Sequence, residues 1–538
     1  MNLPNSEEIK ILPTKLWGAT KPTAILKNKY IHSKYDPERE AKKILSQYSN
    51  IDEYDLIIIF GIGLGYILEH IIAQNPNVPI VIVEKEPFFA EYIQNKFDSP
   101  NLKIFINEEP ENIIKFFSKN IIITNLKNVA FIQNEALNQI YYEYYNKVKS
   151  EIIAYFKRNV AEITTDAYFS ELWVKNIIKN LKNLKNFGFI RDYKDIFKDE
   201  AGILISAGPS IEKNVSLLKK TDLYKFAVAP AVNFLLKNGV VPDFVIASDA
   251  SYYNLFHFKR YIKNDALTLI TELSIHPAVL SNWKGKIILF DFNLSPSQIL
   301  KEIAGEIGYI PMGGTISISA LFIMKYLGFK TIFLMGQDFG YIDFKTHCKS
   351  TGYELYNINR ISKFKSILSY NYEQIKDNKI QYRNDRWLTD TKMEMYKKWL
   401  EEILNDLKIE IKNLSQSEIK GIPKVTDTEI YRIKQHKKDF IYKSYNFSKD
   451  LKISAERMLQ KLYVIEKGLN KILKTKQFSN IQELIISEKQ IYELIRMVLY
   501  IEFLKLRRGI QKINEEFIRK LISGIQILEN LFIIFRNR

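Results

Sequence analysis

The stretch from Gly202 to Asp249 constrains the fold more than any other. Ile203 to Ala207 is a short apolar run stopped by Gly208-Pro209. A run of that length, ended by glycine and proline, reads as a buried strand. Ser210 is a good helix N-cap residue and Glu212 falls in the first turn, so a helix is expected to follow. Phe226 to Ala229 and Phe244 to Ala247 repeat the apolar run, with Asn233 beyond the first and Ser248-Asp249 beyond the second. Strand, glycine turn and helix in repetition is the pattern of a parallel sheet covered by helices. Ligands of such sheets bind at the carboxyl ends of the strands, where Ser210, Asn233 and Asp249 are expected.

The pattern continues downstream. Leu267 to Thr271 and Lys286 to Phe290 are strand-like. Pro311-Met-Gly313-Gly314-Thr315 precedes a helical run, Ile316 to Leu327, with Gly328 as its C-cap. Thr331 to Met335 reads as a strand with Gly336-Gln337-Asp338-Phe339 at its carboxyl end, and His347 and Cys348 follow. Gly313, Gly314 and Thr315 offer backbone N–H groups at a helix N-terminus, a site for phosphate or carboxylate. The plain alternative is an ordinary tight turn.

Upstream lies a second unit. Leu56 to Phe60 leads into Gly61-Ile-Gly63-Leu-Gly65, the helical run Tyr66 to Ala73, and a second apolar run, Ile80 to Val83, ending at Glu84. Such glycines let a backbone approach a ligand, and such an acid can bond ribose hydroxyls. The layout resembles class I methyltransferases, which bind S-adenosylmethionine this way. The acid those enzymes carry two positions before the first glycine is Ile59 here, so a structural unit with no cofactor is expected. Ala136 to Leu184 is helical in pattern, and its clustered Tyr141, Tyr142, Tyr144 and Tyr145 are expected to pack. Past residue 425, Leu451, Ala455, Met458, Leu462, Ile465, Leu469 and Ile472 form a heptad seam. Ile481 to Leu506 and Ile510 to Phe535 are further amphipathic runs, suited to packing or partner binding.

At 538 residues the chain has room for two to four domains. Its +17 charge comes from lysines mixed with Glu and Asp, with no dense basic run and no nucleic-acid-binding motif. Solvated faces rather than nucleic-acid binding are expected. The single cysteine, Cys348, excludes an internal disulfide and a cysteine-based metal cluster. Met1 to Lys10 is polar with no apolar stretch behind it, and the longest apolar run, Leu56 to Leu68, is broken by three glycines. A cytoplasmic protein without membrane insertion is expected.

A set of motifs then converges. Ser33-Lys-Tyr-Asp36-Pro37, Gly61-Ile-Gly63-Leu-Gly65-Tyr66, Ala207-Gly208-Pro209-Ser210, Pro242-Asp243-Phe244 with Asp249-Ala250, Gly313-Gly314, and Gly336-Gln337-Asp338 with Thr346-His347 resemble the motility-associated factor (Maf) glycosyltransferases. Asn413-Leu-Ser415 before Ile422-Pro423 resembles the end of that family's central domain. The resemblance spans residues 30 to 425. It implies an α/β protein with a Rossmann-like unit over 1–150 and a sialyltransferase-like (GT-A variant) parallel domain over 151–425. An all-α bundle over 426–538 completes it.

The implied activity moves a nonulosonic acid, of pseudaminic or legionaminic type, from a CMP-activated donor to Ser/Thr of flagellin. The implied donor set is Gly208, Pro209, Ser210, Asn233, Asp249, Gly313, Gly314, Thr315 and Gln337. The position of Asp249 usually carries an asparagine in those enzymes. No Asp-x-Asp motif stands near a strand end, so no metal is expected. The related sialyltransferases are expected to place a base histidine before a Thr-Asp pair that opens a helix. Thr389-Asp390 before Met393 to Leu407 looks like that pair, but the upstream position falls at about Asp385. His347 is the favoured base, with Asp338 orienting the site and Asp385 the second choice. Archaeal relatives of the domain are labelled hydroxymethylpterin pyrophosphokinases, and a non-catalytic flagellin-binding accessory is a third reading.

Overall fold

A computed structural model describes residues 9–14, 21–48, 50–97, 99–121, 123, 126–184, 186–294, 297–376, 380–384, 386–433, 437, 440–478, 481, 484, 488–507 and 511–536. The chain divides into two compact units, Met1–Tyr168 with Tyr500–Ile513, and Phe169–Leu499 with Asn514–Arg538.

In the first unit, β1 (Ile9–Leu12), β2 (Thr23–Leu26) and β3 (Lys29–Tyr30) form an antiparallel sheet. β4 (Leu56–Phe60), β5 (Ile80–Glu84), β6 (Leu102–Ile106) and β7 (Val129–Gln133) form a parallel sheet in the order β6-β5-β4-β7. β4 and β5 are buried at every position, as expected for central parallel strands with both faces covered. Glu135–Ile140 and the helix Tyr142–Asn183 match the helical reading of this region.

The second unit is built on β8 (Gly188–Phe189), β9 (Ala201–Ile205), β10 (Tyr224–Val228), β11 (Phe244–Ala247), β12 (Thr268–Thr271), β13 (Lys286–Leu289) and β14 (Thr331–Met335). β15 (Tyr341–Ile342), β16 (Ile380–Asn384) and β17 (Trp387–Asp390) form a small antiparallel sheet, and β18 (Glu410–Asn413) closes the series. The main sheet, in the order β18-β14-β9-β10-β11-β12-β13-β8, pairs in parallel throughout. The chain steps outward from β9 to β13, then returns to the other flank of β9 as β14 and β18. That reversal is a topological switch point, where the loops after adjacent strands diverge and a crevice opens. Beneath it, Phe197, Tyr224, Phe226, Phe244 and Phe329 pack ring on ring. Each such burial is worth about 1.5–3 kcal/mol relative to exposure.

All seven heptad positions from Leu451 to Ile472 are buried in the helix Ser448–Thr475, which packs on the helix Glu515–Arg536. The stretch just before it belongs to the sheet's core. Tyr442 donates from its hydroxyl to the Ile287 carbonyl (2.8 Å), Tyr445 N–H donates to the Phe187 carbonyl (2.7 Å), and the Phe440 ring lies 4.9 Å from Tyr193. The packing around the main sheet therefore extends past residue 425 to about Phe447.

Candidate active site at the strand carboxyl edge

β9 and β14 are neighbours, so the loops that leave them meet. Gly208 N–H donates to the Gly336 carbonyl (2.9 Å) and Ser206 N–H to the Met335 carbonyl (2.8 Å). Asp338, only 1% exposed, ties the loops together. One carboxylate oxygen accepts from Ser210 N–H (2.8 Å); the other accepts from the Ser210 hydroxyl (2.5 Å) and from Gln416 N–H (3.0 Å). A Cβ on Gly208 would run into the Gly336 carbonyl and the Asp338 carboxylate, so this approach requires glycine. Burial raises the Asp338 carboxyl above its ordinary range, and the bonds from Ser210 and Gln416 pull it back.

The expected N-cap role of Ser210 is corrected here. Pro209–Lys213 is a 3-10 turn with Gly208 at the cap position, and the α-helix begins only at Val215. The Ser210 hydroxyl donates instead to the buried Asp338 carboxylate, a charge-assisted hydrogen bond.

The Gly313–Thr315 loop joins the same place. The Ser206 hydroxyl donates to Gln337 Oε1 (2.6 Å) and lies 2.9 Å from the hydroxyl of Ser317, in the first turn of the helix Ile316–Tyr326. That helix precedes β14 and runs against it, so its positive end comes to the carboxyl edge. Gly313 N–H, read from the sequence as available, donates to the Ser319 hydroxyl (3.0 Å). Gly314 packs against Trp399, where a Cβ would run into the indole. Thr315 occupies the N-cap position without capping, and its enclosed hydroxyl oxygen has no hydrogen-bond partner among the described residues. Such a mismatch costs about 1–3 kcal/mol, which an anionic ligand oxygen would offset.

A second group sits along the same edge. Asn233, on the helix Ala229–Lys237, is buried and donates from its amide to the His257 carbonyl (3.0 Å). His257 accepts Gly352 N–H at Nδ1 (3.0 Å), and burial with His347 nearby holds it down at about 3. His347 is half-buried, with Nδ1 3.0 Å from the Thr346 hydroxyl and its ring 5.9 Å from Tyr353. Burial and the Lys392 ammonium hold His347 at about 4, so its imidazole is neutral at pH 7. Cys348 N–H donates to the Ala207 carbonyl (2.8 Å), pinning this segment to the β9 loop. Asp249 is exposed at the end of β11 and accepts Ser251 N–H (2.8 Å).

Asp385 lies outside the described residues. Its neighbour Asp390 caps the helix Thr391–Leu407, accepting Met393 N–H (2.8 Å), and so opens a helix as the sequence predicts. The structure thus brings Gly208, Pro209, Ser210, Gln337 and Asp338 into one knot with Gly313–Thr315 alongside. Asn233, Asp249 and His347 cluster around His257 and Tyr353.

Glu272 was not read from the sequence, although it stands directly after an apolar run as Glu84 does. It directly follows β12, is 3% exposed, and accepts both the N–H and the hydroxyl of Ser274. Burial, aided by Asp291 and Asp249, raises it to about 7. The folded state therefore holds the proton more tightly than the unfolded chain. Its contribution to stability is full below about 4.5 and is lost as pH rises through about 7, at most about 3 kcal/mol. Glu272→Gln should leave stability nearly unchanged at pH 5 and exceed the wild type at pH 8 by up to that amount. Urea titrations at the two pH values check this; parallel curves would mean that Glu272 does not titrate there.

Also missed were Asn176 and Asn180, buried one turn apart on the helix Tyr142–Asn183. Asn176 donates to the carbonyls of Ala250 (3.0 Å) and Ser274 (2.9 Å), and Asn180 to those of Leu273 (2.8 Å) and Ile275 (2.7 Å). They brace the loops that carry Asp249 and Glu272. Nothing in their own helical pattern marks them, because their partners are distant in sequence.

The glycine loop of the first unit is filled by the chain itself. Ile62 N–H donates to Glu84 (2.7 Å), Gly63 N–H also reaches Glu84, and Leu64 N–H donates to His32 Nε2 (2.8 Å). Gly63 sits at φ +56° where a Cβ would run into the His32 ring. The Tyr145 hydroxyl also bonds Glu84 (2.9 Å), so the acid a ribose would need is turned inward. Among the described residues, no three of His, Cys, Asp and Glu gather as a metal site. Among them, too, no helix is long and apolar enough to cross a membrane.

A family model described as 6-hydroxymethylpterin diphosphokinase MptE-like matches residues 175–344. Two uncharacterized proteins of Treponema pallidum (strain Nichols) are similar. One is 24% identical over 230 residues, covering 40% of this chain and 77% of that protein. The other is 30% identical over 128 residues, covering 21% and 32%. Among solved structures, the Maf glycosyltransferase from Magnetospirillum magneticum AMB-1 superposes with a TM-score of 0.55 at 12% identity. The match covers 99% of this chain and 92% of that one. The likeness to Maf glycosyltransferases read from the sequence is met by the fold along the whole chain.

Proposed function

We propose that the protein is a cytoplasmic glycosyltransferase that moves a CMP-activated nonulosonic acid to Ser/Thr hydroxyls of flagellin. The observation that carries this reading is the convergence of the Gly208–Ser210, Gly313–Thr315 and Gly336–Asp338 loops at the switch point of the sheet. The Maf fold supports it. A CMP-sugar leaves behind one phosphate. In this reading the positive helix end and the unmatched Thr315 hydroxyl meet that developing charge, without a metal ion. Asp338 holds the Gly208–Ser210 loop in place, Asn233 helps hold the nucleotide, and His347 takes the acceptor proton.

A pyrophosphokinase reading is favoured by the family model over residues 175–344. It needs ATP, Mg²⁺ and convergent carboxylates. Glu272 is engaged by Ser274, and Asp291 by the Ser297 hydroxyl (2.7 Å) and the Lys301 ammonium (2.6 Å), which weighs against a shared ion.

Flagellin from a strain lacking this gene should lose mass in steps of one nonulosonic acid residue, and the purified protein should restore that mass in EDTA. Unchanged flagellin mass would overturn the proposed acceptor. Activity lost on chelation and restored by Mg²⁺ would favour the pyrophosphokinase.

A further inference from the structure

Between β14 and the helix Thr391–Leu407 the chain builds a small annex. β15, β16 and β17 enclose a minor core of Tyr341, Ile375 and Leu388. The helices Gly352–Ile358 and Ile367–Ile375 lie between these strands in the sequence. The annex starts at the candidate site, because Gly352 bonds His257, and Lys237 donates to the Ser350 hydroxyl (2.8 Å). Of the helix Ile367–Ile375 only Ile375 is buried. Leu368 and Tyr372, one turn apart, are 60% and 53% exposed; Phe364 just ahead is 93% exposed, and Ile361 46%.

An apolar face this exposed, on a short helix with its own core, is not explained by folding. It is also framed by cations. The Arg360 guanidinium lies over Tyr356 and Tyr370 (5.0 and 5.6 Å), and Lys365 over Tyr370 (4.3 Å). Residues 341–376 carry six Lys and Arg against three Asp and Glu. Glu373 pairs with Lys365 and Asp343 with Arg386, Glu354 accepts Ser350 N–H, and Lys345 and Lys349 pair with Glu212, which leaves Arg360, Lys363 and Lys376 without an ion pair among the described residues. The heptad seam of the C-terminal region, the other surface suited to a partner, is buried within its own unit.

We propose that the Phe364–Leu368–Tyr372 face is the docking surface for the protein acceptor, and that it takes an amphipathic acceptor helix flanked by acidic residues. Leu368 and Tyr372, one turn apart on their helix, with Phe364 in the turn just ahead of it, match the apolar face of such a helix, and Arg360, Lys363 and Lys376 match its acidic flanks. The face adjoins the candidate site: the Tyr372 ring lies 6.4 Å from Phe344, and Gln374 accepts from the hydroxyl of Thr346 (3.2 Å), next to His347. That the docked protein is the acceptor, and that it is flagellin, rests on the glycosyltransferase reading.

The test uses the full chain and purified flagellin monomer. The variant Phe364→Ser/Leu368→Gln/Tyr372→Gln changes exposed side chains only and should fold. It is expected to weaken flagellin binding by about tenfold or more, as loss of apolar anchors does at interfaces. Lys363→Glu should weaken binding less and flatten its salt dependence. Release of CMP from the CMP-sugar, without acceptor, should be unchanged in both. Unaltered flagellin affinity in the triple variant overturns the proposal, as does a wild type that binds no flagellin. Binding of wild type, but not the variant, to phosphatidylglycerol–phosphatidylcholine vesicles would make the face a lipid-binding one. Absent CMP release with intact, variant-sensitive flagellin binding would sink the glycosyltransferase reading and leave the docking face standing.

Discussion

Asp338→Ala should abolish detectable turnover and lower stability by about 3–5 kcal/mol. Three donors converge on this buried carboxylate: the N–H and hydroxyl of Ser210 and the N–H of Gln416. Removing it leaves buried donors unmatched, at about 1–3 kcal/mol each. It also releases Gly208 from the position in which it touches Gly336. Asp338→Asn keeps one acceptor oxygen but turns an NH₂ toward a donor, so it should lie between wild type and alanine. Urea unfolding with calorimetry of CMP binding separates the two effects. An alanine variant that binds CMP and turns over normally would remove this knot from the site.

The second large effect is expected at His347. His347→Ala should cut turnover by about 10²–10⁴-fold with CMP affinity nearly unchanged, the usual contribution of a general base. The geometry adds a pH signature. Burial and Lys392 hold the free protein's imidazole at about 4, so kcat/KM should fall only below that pH. The proposed anionic donor would favour the protonated imidazole, so the acid limb of kcat should lie higher than that of kcat/KM. Coincident limbs near 7, moved by Glu272→Gln and not by His347→Ala, would shift the base to Glu272. Normal transfer by His347→Ala with a dead Asp385→Asn would shift it to Asp385.

Much of the frame was legible in the sequence because it is local. Leu56–Phe60, Phe244–Ala247 and Thr331–Met335 are strands with the bounds their apolar runs predict. The heptad seam lies on one helix with every position buried. Edge and insert elements were not read. β18 is Glu-Ile-Lys-Asn, too short and polar to register as an apolar run, and it owes its place to β14. The two-residue strands β8 and β15 exist only through their partners.

The sequence by itself determined which loops would share an edge. Parallel β-α connections place every strand's carboxyl end on one side, so Gly208–Ser210, Asn233, Asp249, Gly313–Thr315 and Gly336–Asp338 had to gather there. Only the tertiary structure decided what each side chain does. Ser210 caps no α-helix because that helix starts only at Val215, and its hydroxyl donates instead to a buried carboxylate 128 positions away. Glu84 and His32 close the first glycine loop because folding brings them to its amides. Glu272 rises to about 7 because its neighbours exclude water, and desolvation belongs to the packed core rather than to any motif.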